Sequence, residues 1–182
     1  MNRKARRLHA ANQRMRLALM NQRSCGQCRE CCTSLPVELE NGVKPAGAVC
    51  EHLRALPEKG CAVYEDRPHG CRIWRCVWLA EPNTLTGDER PDRLGVVFDC
   101  RPTALDMTVI LARESWPGAW RTGPVQAAVR RLAENNVVML VSGDSEHGTF
   151  VEHERVGPKM LLDRWTERVV SWEEKHREEV SA

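Results

Sequence analysis

Regular hydrophobic patterning marks two stretches of the chain, and a long stretch without it lies between them. Near the start, Leu8, Ala11, Met15 and Leu19 recur at helical spacing with most arginines elsewhere on the wheel, which predicts a helix over residues 3–22. Beyond residue 93 the pattern becomes that of a conventional core. Leu94–Cys100 and Met107–Ala112 read as strands rich in Val and Ile. Thr122 as a cap, Pro124 in the first turn and Val125, Ala128, Val129 and Leu132 on one face predict a helix that stops at Asn135-Asn136. Val137–Val141 reads as a short buried strand, and Thr149–Val156 as a half-exposed one after the turn Ser142-Gly143-Asp144. A last helix from about Lys159 gathers Leu161, Leu162, Trp165, Val169 and Trp172 on one side. The order of these elements predicts an α+β fold, with a small antiparallel sheet and helices packed on one of its faces.

Residues 24–80 are turn-rich, dense in cysteine and short of any apolar period. Such a segment buries little core of its own and needs a staple, which metal can supply. Residues 81–93 are polar and contain two prolines and a glycine, so the boundary is placed there. Three parts follow: a basic N-terminal helix (1–23), a cysteine-cluster module (24–80) and a small α+β domain (94–176). Trp116, Trp120, Trp165 and Trp172 are expected in the core rather than on a base-stacking platform.

With 42% hydrophobic and 29% charged residues, the 182-residue chain has a globular composition. Its longest aliphatic run, Val137–Val141, is too short to span a bilayer, and the basic N-terminus lacks the apolar core of a signal peptide. A cytoplasmic location is expected, and with it reduced thiols. Net charge is only +2, yet residues 1–23 hold seven Lys or Arg and no acid. Such an arm suits phosphate on RNA, the ribosome or a membrane surface; a solubilising helix face is the alternative reading.

Nine cysteines change the picture most. In Cys25-Gly26-Gln27-Cys28-Arg29-Glu30-Cys31-Cys32, two residues between thiols allow a tight turn, supported by Gly26, to aim them at one centre. Cys50, Cys61, Cys71 and Cys76 follow, and eight thiolates would close two four-coordinate sites. The three-cysteine series suits a 4Fe-4S cubane slightly better than zinc, which usually takes separated pairs. Adjacent Cys31 and Cys32, in extended backbone, would point to opposite sides, which suggests two centres or one ligand and one spectator. Arg29, Arg67, Arg72 and Arg75 could offset surplus thiolate charge or simply form surface ion pairs. His52 and His69 flank the cysteines and could replace one, Tyr64 is placed against the metal loops, and Cys100 is expected as a buried bystander thiol. No glycine-rich phosphate loop is present, and His147 and His153 have no convincing nucleophile for a triad.

The pattern Cys25-x2-Cys28-x2-Cys31-Cys32, then Cys50-x2-Leu53, then Cys61-x2-Tyr64-x2-Arg67-Pro68-x2-Cys71-Arg72, then Cys76, closely resembles the zinc- or iron-chelating CxxCxxCC cysteine-cluster family. That family also takes in the flagellin lysine N-methylases. The resemblance covers residues 25–76 and implies metal chelation through these cysteines, with iron, as an iron–sulfur cluster, or zinc left open. Two alternatives to simple metal binding stand beside it: a structural-zinc adaptor or nucleic-acid/ribosome-associated binding module, and an iron–sulfur-dependent protein-modifying enzyme such as a lysine N-methylase.

Overall fold

The computed structural model describes residues 23–40, 42–55, 58, 60–143 and 150–176. The helix expected over 3–22 lies outside them. The cysteine segment folds into short pieces: helix α1 (Glu30–Ser34), a hairpin of β1 (Val37–Leu39) and β2 (Gly42–Lys44), helix α2 (His69–Ile73) and helix α3 (Val77–Ala80). Among the described residues of 24–76, Leu35 and Ala46 are the only buried apolar side chains. No element there has a hydrophobic face wide enough to hold it in place.

The second half is built differently. After α4 (Pro91–Leu94) come β3 (Val96–Pro102), β4 (Thr108–Glu114), α5 (Gly123–Ala133), β5 (Val137–Gly143), β6 (Phe150–Val156) and α6 (Lys159–Lys175). Spatial order in the sheet is β3-β4-β5-β6. The protein is thus of the α+β class, but its main sheet is mixed: β3/β4 and β5/β6 are antiparallel, whereas β4 and β5 run parallel. The expected all-antiparallel sheet is corrected by α5, which crosses over between β4 and β5 and returns the chain in the same direction.

The expectation of helices on one face is also corrected. Val125, Ala128, Val129 and Leu132 of α5 pack on Val96, Phe98, Ile110, Ala112, Val138 and Leu140. Leu161, Leu162, Trp165 and Val169 of α6 pack with Val109, Leu111, Val137, Met139 and Val141, the alternate residues on the opposite face. Covered on both sides, β5 has five consecutive buried residues from Val137 to Val141. Of the four tryptophans expected in the core, Trp165 is buried, Trp120 is half-buried, and Trp116 and Trp172 are exposed.

Residues 77–94 belong to this core rather than to a free linker. Val77, Trp78, Leu85 and Leu94 join the cluster under α5, and Arg131 of α5 pairs with Glu89. Arg23 clamps the same stretch. Its guanidinium lies 4.8 Å over the Trp78 ring and donates to the carbonyls of Trp78 (2.5 Å), Pro82 (2.9 Å) and Leu85 (2.8 Å). The cysteine segment is therefore held at both ends against a preformed hydrophobic layer. No helix among the described residues is long and apolar enough to cross a membrane.

Candidate metal centre

Short-range backbone bonds set the cysteines in place. The amide of Cys28 donates to the Cys25 carbonyl at 2.8 Å, closing a tight turn in which Gly26 takes φ +52°. Gly60 packs on that turn: a Cβ there would lie 2.8 Å from the Gly26 carbonyl oxygen, and its own φ is +93°. The Cys50 amide donates to the Cys32 carbonyl at 2.9 Å, and a bridge between Leu53 and Cys61 brings the next cysteine alongside. Cys71 rides on α2, and Cys76 caps α3, accepting from the amides of Leu79 (3.0 Å) and Ala80 (2.9 Å) through its carbonyl. Trp74, between these two cysteines, donates its indole Nε1 to Asp99 Oδ1 at 2.9 Å. Asp99 is fully buried on β3 and also accepts from Arg101 Nε at 2.5 Å, so it ties the last two cysteines to the sheet.

Cys25, Cys28, Cys31, Cys32, Cys50, Cys61, Cys71 and Cys76 all line one cavity of about 520 Å³. Tyr64 and His52 also line it; His69 is exposed and does not. Cys100 stays apart from the eight, but it is exposed on edge strand β3, which corrects the expectation of a buried thiol. Its neighbour in register, Ile110, belongs to the cluster under α5, and Cys100 does not.

Electrostatic influence among the thiols runs in two overlapping groupings, and Lys44 feels Cys31 as well as Cys32, Cys50 and Cys71. Cys25 and Cys28 act electrostatically on Cys31, Cys76 acts on Cys28, and Cys25 acts on Cys76. Cys32 and Cys50 act on both Cys61 and Cys71, and Cys61 also acts on Cys71. Cys31 and Cys32 meet at the seam, and the Cys31 thiol donates to the Cys32 sulfur. They lie on helix α1 rather than in extended backbone, so their directions differ by roughly 100°, not 180°. The helical turn keeps the two thiols side by side.

The groups differ in charge environment. Burial pushes Cys28 up to about 12 and Cys76 up to about 11, although amides of Glu30 and Asp92 hydrogen-bond the Cys28 sulfur and those of Leu79 and Trp78 bond that of Cys76. In the second group the hydrogen bond from Cys31 holds Cys32 down to about 7, with Lys44, Arg29 and Arg67 adding to it. Burial raises Cys61 and Cys71. The apolar patterning gave no hint of Lys44, which is buried on β2 with its ammonium bonded to the carbonyls of Pro45 (3.0 Å) and Ala48 (2.7 Å). Its position beside Cys50 and Cys32 makes it a fixed counter-charge.

Chemically, this is an all-sulfur donor set with amide donors aimed at several sulfurs, which suits zinc or an iron–sulfur cluster. Among the described residues, no three Cys, His, Asp or Glu side chains converge closely enough to hold a single ion. The thiols surround a volume instead of meeting at a point. No protein-family model, no curated protein and no solved structure matches the chain.

Proposed function

We propose that this is a cytosolic metal-binding protein whose eight cysteines hold iron, as iron–sulfur clusters, in two four-thiolate sets. One set is Cys25, Cys28, Cys31 and Cys76; the other is Cys32, Cys50, Cys61 and Cys71. The observation that carries the proposal is the gathering of these eight, and not Cys100, around one cavity of about 520 Å³. Thiols set around a volume favour a cluster over a bare ion, because a cluster offers separate metal corners to ligands that cannot reach a common point. Amides bonded to Cys28, Cys61 and Cys76 support the same reading, since such bonds stabilise sulfur charge and tune cluster potential. The spacing that resembles the CxxCxxCC family supports metal chelation and is neutral between iron and zinc. When bound, clusters would supply one-electron transfer or structural cross-linking; the chain's part is to place eight sulfurs, hold Lys44 and Arg67 beside one set and dock the whole on the sheet through Trp74 and Asp99.

The test is the metal and sulfide content of full-length protein purified without oxygen from iron-replete cells. Brown protein with iron and inorganic sulfide in near-equal amounts is the expected result. A colourless preparation with two tightly held zinc ions and no sulfide would overturn the iron reading in favour of structural zinc.

A further inference from the structure

A second cavity, of about 190 Å³, opens beside the first and is lined by Arg23, Arg67, Arg72 and Arg75, with no carboxylate in its wall. Tyr64 and Cys71 also line it, and Arg67 and Cys71 face both cavities. None of the four arginines makes an ion pair with a carboxylate among the described residues. Arg23 spends its donors on three carbonyls and contributes charge alone. The Arg67 guanidinium lies over the Tyr64 ring, 4.1 Å from its centre, and its buried Nε has no hydrogen-bond partner among the described residues. Arg72 and Arg75 are exposed at the rim.

We propose that this pocket binds the phosphoryl group of a small phosphorylated molecule beside the cysteine cavity. Three guanidinium groups with uncommitted donors and a fourth with fixed charge form a site of one sign, and planar forks match phosphate oxygens two at a time. A buried, partnerless donor at the inner wall costs free energy that an oxyanion would recover. The volume of about 190 Å³ leaves room for a phosphoryl group and a short appendage. The site stands on the arginines and does not depend on which metal the cysteines hold.

Calorimetric titration of full-length, anaerobically purified protein with inorganic phosphate, at low and constant chloride, tests this. Arg72→Gln is the informative variant, because Arg72 is exposed and lines the small cavity but not the large one. Arg130→Gln, at an exposed position on α5, is the control. One saturable site per chain is expected, with affinity about fivefold or more weaker in Arg72→Gln and unchanged in Arg130→Gln. Metal content, read on the same samples, should be equal in all three, so failure here is separate from failure of the metal proposal. Absence of saturation up to about 10 mM phosphate, or equal weakening by both substitutions, would overturn the pocket and leave only diffuse attraction to a basic surface. Should Arg72→Gln fail to fold, Arg72→Lys, which keeps the charge but removes the planar fork, serves for the same comparison.

Discussion

The two halves of this chain solve the problem of holding a backbone in place by different means. Residues 96–175 bury Val, Leu, Ile, Met and Phe in two clusters, one on each face of the sheet, with α5 in one and α6 in the other. Among the described residues of 24–76 only two apolar side chains are buried, and eight thiols are arranged around a space instead. A hydrophobic layer is self-sufficient because its parts attract each other in water. A ring of thiols has no such attraction, and several of these would have to give up protons at a cost imposed by burial. The stability of one half is intrinsic, and that of the other is conditional on what it binds.

The largest effect expected from this contrast comes from metal removal. Chelation or acid release under anaerobic conditions should withdraw folding free energy on the order of 10 kcal/mol from the cysteine half. Hydrogen exchange should then rise across 24–76 while β3 to β5 and α6 keep their protection. Equal protection with and without metal in 24–76 would show that the half is self-supporting and the comparison mistaken.

Single substitutions sharpen it next. Leu140→Ala, in the layer under α5, should cost about 2–5 kcal/mol in denaturant unfolding and leave metal per folded chain unchanged. Cys28→Ser and Cys61→Ser should each lower metal content, the first through the buried set and the second through the one beside Lys44, while Cys100→Ser keeps all of it. Equal losses in the three cysteine variants would dissolve the distinction between ligands and bystander.

A glycine pair gives a smaller and more local contrast. Gly60→Ala meets backbone, 2.8 Å from the Gly26 oxygen at a φ of +93°, so it should cost about 1–3 kcal/mol and loosen metal. Gly95→Ala has a φ of +73° and meets the ring of exposed Trp116, which can swing aside, so about 1 kcal/mol is expected, all of it in the sheet half. Unfolding curves read together with metal content separate the two outcomes.

Much of this was legible in residue order and some was not. Helices α5 and α6 announced themselves through Val125, Ala128, Val129, Leu132 and Leu161, Leu162, Trp165, Val169, because a face that must be buried repeats with the helical period. The grouping of Cys25, Cys28, Cys31 and Cys32 was legible because short spacings confine thiols to one neighbourhood whatever the wider fold, whereas Cys50, Cys61 and Cys71 join them through the fold. Strand direction was not, since parallel and antiparallel strands share the same alternation; the unbroken run Val137–Val141 was the one available sign of cover on both faces. Cys100 was misplaced because exposure on an edge strand depends on which of its residues a helix 25 or so residues later packs against. Asp99 and Arg23 were invisible for a related reason: their roles are set by partners distant in sequence, Trp74 for Asp99 and the carbonyls of residues 78–85 for Arg23, whereas Lys44 bonds carbonyls one and four residues on and is hidden by its burial.

The parallel pairing of β4 with β5 also has a consequence in time. The β3–β4 hairpin closes over residues 103–107, while β4 and β5 meet only after residues 115–136 have been placed. Loop-closure entropy makes the short hairpin form early and the crossover late. Val77, Trp78, Leu85 and Leu94 dock on the layer that the crossover completes, so the cysteines on either side of Trp74 reach their final positions only once that layer exists. A nascent chain would expose all eight thiols before the platform beneath them is finished, and any metal captured early would be held by a site not yet assembled.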